Sequence, residues 1–275
     1  MAGATLLAAT NEGLTAIDVG DPSKPEVRGE LALLGGAGAV AVKGTTAYAT
    51  TYAGLAAIDI GDASQLALRG PRNPHCGTRR DGAVAITGGR AWVVQGSGSF
   101  ATTVRSCGLA QADGVGSSWL IAFAVRGIAA SGDAVLVAAQ RFGLLSLTHS
   151  APPDNSFTFG WRMPALGAVG GLTATGDVVR ATDSDSELWT FDATSAAAPV
   201  PLGRTDYWPP TASRQDDLAA GLAVRGDVAF QAFIGGHSYG GSVAAASTWT
   251  AHVLGWRCTS MASASSTCRT PPCHA

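Results

Sequence analysis

The chain has 275 residues, a length that suits one large repeat domain or two small ones. Its 46% hydrophobic and 14% charged content, with 36 glycines, describes a folded, turn-rich protein and excludes a disordered one. A net charge of −2 and a pI near 6.2 leave no basic footprint for nucleic acid. No run of 18 or more apolar residues exists to span a membrane. The opening MAGATLLAATNEG has no basic segment, and its apolar stretch is too short for an export signal.

Short apolar stretches begin at once: TLLAA (5–9), GLTAID (13–18) and PEVRGEL (25–31). From residue 39 a fuller unit repeats. Its first stretch ends in glycine: AVAVKG (39–44), AVAITG (83–88), GIAASG (127–132), GLTATG (171–176) and GLAVRG (221–226). The closing glycines step by 44, 44, 44 and 50 residues. Second stretches follow as TAYAT (46–50), RAWVV (90–94), AVLVA (134–138), VVRAT (178–182) and VAFQA (228–232). Third stretches read GLAAID (54–59), GLAQAD (108–113), GLLSLT (143–148), ELWTFD (187–192) and, more weakly, GSVAAA (241–246). Fourth stretches close each unit: LALRGP, WLIAFAVR, FTFGWRM, PVPLGRT and HVLGWRC. The N-terminal stretches match the second to fourth members, so the first repeat lacks its opening stretch.

Stretches of four to eight residues, rich in Val, Ile, Thr and aromatics and bounded by Gly, Asp and Pro, predict strands. Four strands in a unit of 41–50 residues, about six times over, predict an all-β β-propeller of about six four-stranded blades. A β-sandwich would need no fixed period. The expected organisation is a propeller over 1–258, with the second to sixth repeats starting near 39, 83, 127, 171 and 221. Residues 259–275 follow as a closing strand and Cys-bearing tail. Ser260–Ser266 is expected to pair beside Thr5–Ala9 and complete the first blade. The small first stretches suit the crowded axis, while Tyr48, Trp92, Phe142 and Trp189 are expected to fill the core between blades.

The segments GLTAIDVGDPSKPEVRGEL (13–31) and AVAVKGTTAYATTYAGLAAIDIGD (39–62) are similar to the LVIVD repeat of bacterial and archaeal surface proteins. The resemblance is clear over 4–62 and degenerate over 83–258. It implies a propeller, export or surface display, and no established activity. The WD dipeptide and the paired glycines of kelch repeats are not seen. In Asp18-Val-Gly-Asp21-Pro22-Ser, Asp21 and Pro22 suit the first two positions of a type I turn; Asp21 and Asp62 are therefore read as turn residues.

Several constellations invite a chemical reading. Gly236-His237-Ser238-Tyr239-Gly240 matches the G-x-S-x-G of a nucleophile elbow. No Asp or Glu follows Ser238 to orient His252 or His274, and no helices precede it to build the required sheet. A serine hydrolase at Ser238 stays the alternative, and a Gly-rich hairpin loop is preferred. Asp183, Asp185 and Glu187 alternate oxygen ligands as a weak calcium candidate, without the glycine and other acids of an EF-hand loop. Cys268, Cys273 and His274 lack zinc-ligand spacing. Gly96-Ser-Gly98-Ser does not lead from a strand into a helix, as a phosphate loop would. His75 and His149 stand in loops without evident partners. Five cysteines allow one or two disulfides, which suit an oxidising compartment, but spacing does not assign the pairs.

No cofactor and no metal are therefore expected. The reading is a non-enzymatic binding or scaffold propeller, secreted or in the envelope, with a protein or glycan partner. Its contact surface is sought in the irregular segments 70–82, 95–107 and 206–220, the last carrying Tyr207, Trp208, Arg214, Asp216 and Asp217.

Overall fold

The computed structural model describes residues 4–234 except 22–23, 77–82, 88, 96–101, 110–114, 122–124, 126, 132–133, 140–141, 150–156, 164–168, 170, 183–186, 196–197, 207–217 and 226–227. These residues form six antiparallel sheets and a single turn of 3-10 helix at Pro74–Cys76. The first sheet holds β1 (Thr5–Ala9), β2 (Gly13–Asp18) and β3 (Glu26–Ala32). The second holds β4 (Ala37–Lys43), β5 (Thr46–Thr51), β6 (Gly54–Asp59) and β7 (Ala67–Leu68). The third holds β8 (Val84–Thr87), β9 (Arg90–Gln95), β10 (Thr102–Gly108) and β11 (Val115–Ile121). The fourth comprises β12 (Gly127–Ser131), β13 (Ala134–Ala138), β14 (Leu144–His149) and β15 (Phe157–Met163). The fifth comprises β16 (Leu172–Thr175), β17 (Val178–Thr182), β18 (Glu187–Asp192) and β19 (Val200–Asp206). A sixth pairs β20 (Leu218–Arg225) with β21 (Val228–Ile234). The first strands β4, β8, β12, β16 and β20 of the successive sheets abut one another in that order, and β1 abuts β4, which is the radial arrangement of a propeller.

The core lies between sheets, and alternation within the second strand of each unit builds it. Ala47 and Ala49 of β5 pack toward the first sheet, while Tyr48 packs toward the third. Ala91 and Val93 of β9 face the second sheet; Trp92 and Val94 face the fourth. Val135 and Val137 of β13 face the third, and Leu136 and Ala138 the fifth. With both faces covered, these strands are mostly apolar, and the buried Thr50, Thr51 and Thr182 hydroxyls are hydrogen-bonded. This is why these stretches read as continuous apolar runs rather than alternating ones. Trp92 is buried as expected; Tyr48, Phe142 and Trp189 are partly buried against the same cores.

The third unit departs from its expected strand. Gly108–Asp113 was the expected third stretch and 95–107 an irregular loop, yet the third strand is β10, pairing Thr103 with Gln95 and Gly108 with Arg90. Its buried residues include Thr102, Ser106 and Cys107, so the strand hides behind polar letters that an apolar search passes over. In the second unit the expected fourth stretch shortens to the two residues of β7, and Asn73 bridges back to Leu55.

One irregularity recurs. In the first, third, fourth and fifth sheets, the outermost strand carries one extra residue against its neighbour, between Gly29 and Val27, Ser118 and Val115, Trp161 and Phe159, and Gly203 and Pro201. Such bulges add twist and spoil an outer edge for pairing with other chains. The proposed closing segment Ser260–Ser266 lies outside the described residues.

Candidate functional site

The motif residues that repeat most faithfully sit where the third strand ends. Gly13 and Gly54 open β2 and β6 with φ of 152° and 118°. A Cβ would lie 2.0 Å from the Leu31 carbonyl oxygen at Gly13 and 2.3 Å from the Asn73 carbonyl oxygen at Gly54. Only glycine lets the outer segment approach this closely. At the far end of the same strands, Asp18 and Asp59 each do two jobs. Asp18 accepts from the Gly20 N–H (2.7 Å) and pairs with Arg28 (2.7 Å). Asp59 accepts from the Gly61 N–H (2.9 Å) and pairs with Arg69 (3.0 Å). In the fifth sheet Asp192 accepts from the Thr194 N–H (2.8 Å) and hydroxyl, while Arg204 lies over the Trp189 ring instead.

These bonds set the charges. The Gly61 N–H and then Arg69 hold the Asp59 carboxyl below its ordinary range; Ser64 does so for Asp62, and Thr194 for Asp192. The hydrogen bond to Asp18, reinforced by its charge, raises Arg28 above the usual guanidinium value. Asp59, Asp62 and Asp192 therefore stay ionised at neutral pH. Asp21 and Asp62 open turns as expected: their carbonyls accept from the N–H groups of Lys24 (3.0 Å) and Gln65 (3.1 Å). The motif acids are clamps on the fold.

Strand direction separates the two ends of the sheets. Because direction alternates within each sheet, the turn from second to third strand lies at the same end as the connection to the next sheet. That end collects the turns 10–13 and 51–54, the connection 33–36 and the segment 73–76. The described strand ends flanking 96–101, 183–186 and 207–217 belong to it as well. Asp18, Asp59 and Asp192 mark the opposite end. A disulfide between Cys76 and Cys107, both fully buried, ties segment 69–76 to β10. Side chains also bind the first strands to the second from within: the Thr50 hydroxyl accepts from the Ala39 N–H and the Thr182 hydroxyl from the Gly171 N–H, both at 2.9 Å.

Tyr207, Trp208, Arg214, Asp216 and Asp217 lie outside the described residues, as do Asp183, Asp185, Ser238, His237, His252, His274, Cys258, Cys268 and Cys273. Glu187 opens β18, His149 closes β14, and His75 lies in the 3-10 turn. Among the described residues, no group of three or more His, Cys, Asp or Glu is placed to hold a metal ion. No helix there is long and apolar enough to cross a membrane. The arginine partners were missed in the sequence, although the ten-residue step from Asp18 to Arg28 recurs from Asp59 to Arg69.

Comparison with known proteins agrees with this geometry. The LVIVD repeat model matches residues 6–32 and 34–72. No curated protein matches the chain. A functionally unknown protein from Desulfotomaculum acetoxidans is similar in structure, with a TM-score of 0.55 and 13% identity over 81% of this chain and 71% of that one. A Lactobacillus plantarum protein has a TM-score of 0.51 at 14% identity, covering 85% of this chain and 79% of its own. The WD40 repeats of RRP9 have a TM-score of 0.52 at 10% identity, covering 84% and 70%. At such identities the likeness concerns the fold alone. The chain thus carries LVIVD repeats at 6–32 and 34–72 and has an all-β, β-propeller fold.

Proposed function

We propose that this chain is an exported, non-enzymatic binding scaffold that meets a protein or glycan partner through the end of the propeller where the sheet connections gather. The observation that carries this reading is the division of labour between the ends. Repeated Asp clamps hold one end, while connections of uneven length and composition leave the other. Recognition commonly resides on irregular connections presented by a rigid frame. The connection 207–217, with Tyr207, Trp208, Arg214, Asp216 and Asp217, supplies the aromatic and charged side chains that dominate contact surfaces. The buried Cys76–Cys107 disulfide suits an oxidising compartment, in line with the surface proteins that share the repeat. One structure of similar fold, with a TM-score of 0.50, is of the mitotic checkpoint complex, a protein assembly. The unit assigned to this role is 1–258, with 259–275 as closing strand and tail.

The test is affinity capture from the native source with the intact chain and with 207–217 replaced by a Gly-Ser linker. A partner retained by the first and lost by the second supports the reading. Stoichiometric labelling of Ser238 by a fluorophosphonate, abolished by mutating His237, His252 or His274, would instead establish a hydrolase, since activation needs a histidine within about 3 Å of the hydroxyl.

A further inference from the structure

One row of side chains breaks the pattern of the seams between sheets. On the face that each sheet turns toward the next, three residues stand side by side across its first, second and third strands. They are Ala41, Tyr48 and Ala57 in the second sheet, Ala85, Trp92 and Ser106 in the third, and Ala129, Leu136 and Ser146 in the fourth. In the fifth sheet the row reads Thr173, Arg180 and Thr190. Their strand neighbours Val179, Ala181 and Phe191 pack against the fourth sheet, so alternation turns the row toward the sixth. There β20 lies against β16 and β17. The rows of the third and fourth sheets are buried, with Trp92 at 3% exposure and Leu136 at 0%. That of the second is half-buried but apolar around Tyr48, which packs on the core of the third sheet. Thr173, Arg180 and Thr190 are polar and all half-buried. Water therefore reaches between the fifth and sixth sheets at the level where the two preceding seams are dry.

We propose that the ring parts at this seam, the sixth sheet separating from the fifth around the row centred on Arg180. A guanidinium gives up strong hydration on burial unless a carboxylate answers it. Among the described residues none does: Asp18 and Asp59 pair with Arg28 and Arg69, and Asp192 is held by Thr194. Opening the seam returns three polar side chains to water. Opening either of the two seams before it would expose Trp92 or Leu136 instead, at the full hydrophobic cost. The chain has length to spare for the movement. The repeat step across this seam is 50 residues, against 44 for each of the three before it. The connection 207–217 leads over it from β19 to β20, so an opening displaces the segment that carries Tyr207 and Trp208. The inference rests on the polar row and stands without the binding-scaffold reading.

The full chain is labelled with N-ethylmaleimide and read peptide by peptide, so that the native cysteines do not interfere. Leu188→Cys puts a thiol on the face of Arg180, because Leu188 pairs with Thr182 there. Val179→Cys puts one on the opposite face, against the fourth sheet. Both positions are buried in the closed ring, at 5% and 0% exposure. The labelling rate of a buried site reports how often it opens, and Leu188→Cys is expected to label at least about tenfold faster than Val179→Cys. Adding Arg180→Leu, which restores the residue type of the fourth sheet, should slow Leu188→Cys about tenfold and leave Val179→Cys unchanged. Arg180→Gln is polar but uncharged, and should keep labelling within about threefold of the parent; this separates an open seam from the pull of a guanidinium on the thiol. If Arg180→Leu fails to fold, Arg180→Met is read in the same way. Equal labelling at the two sites overturns the proposal. So does labelling of Leu188→Cys that is indifferent to Arg180→Leu, or as slow with Arg180→Gln as with Arg180→Leu.

Discussion

Replacing Cys76 and Cys107 together by alanine removes the cross-link between segment 69–76 and β10 while leaving the three C-terminal cysteines in place. The bond closes a loop of 31 residues. In the chain-entropy model, opening a loop of that length returns about 12 cal/mol/K to the unfolded ensemble, or about 3.7 kcal/mol at 25 °C. Both sulfurs are fully buried between the second and third sheets, against Leu55, Val84, Ala91 and Val93. Their loss also forfeits packing, so the full effect is expected at or somewhat above that figure. Alanine is the proper replacement, because serine would bury a hydroxyl without an assured partner. Urea denaturation followed by tryptophan fluorescence reads the outcome. With a slope near 3 kcal/mol/M, the midpoint should fall by about 1.2 M. A fall below about 0.4 M at unchanged slope would refute the argument, as would peptide mapping that pairs Cys76 or Cys107 with Cys258, Cys268 or Cys273.

Three further outcomes are expected. Gly54→Ala forces a Cβ against the Asn73 carbonyl and a strained φ, and should cost about 2–4 kcal/mol in the same assay, whereas the open Gly44→Ala should cost less. Because Asp59 and Asp192 titrate below the ordinary carboxylate value in the folded state, the unfolded chain binds more protons as pH falls. Their stabilisation is complete above about pH 4 and is lost in more acid solution; thermal unfolding of Asp59→Asn should therefore depend less on pH below about 4 than that of the parent. If 259–275 supplies the inner strand of the first sheet, its deletion should speed amide exchange at Leu6 to Ala8 and lower the thermal midpoint; unchanged exchange would refute that closure.

The repeat was legible in the letters because its physics is local. Strands β13, β15, β17 and β18 lie close to where apolar stretches bounded by turn residues put them. The Asp21 and Asp62 turns follow from the side chains' own geometry with their neighbours in sequence. Gly13 and Gly54 could be aligned by eye, but the carbonyls that forbid a Cβ come from Leu31 and Asn73, about 18 residues away. Strand β10 is hard to read in the sequence because Thr102 and Ser106 are buried beside Val104 and Cys107, and the burial of the two hydroxyls is set by the sheets on either side rather than by their own hydrophobicity.

What the sequence by itself determined is therefore the unit: four strands, their punctuation, and the β-propeller that their number and period require. Only the tertiary structure decided that Cys76 meets Cys107, that Arg28 and Arg69 answer Asp18 and Asp59, and that Gly35 packs against Tyr52. Each of these is a meeting between strands or connections distant along the chain. Antiparallel alternation within the sheets brings such segments to a common end, and no spacing in one dimension records which end that is.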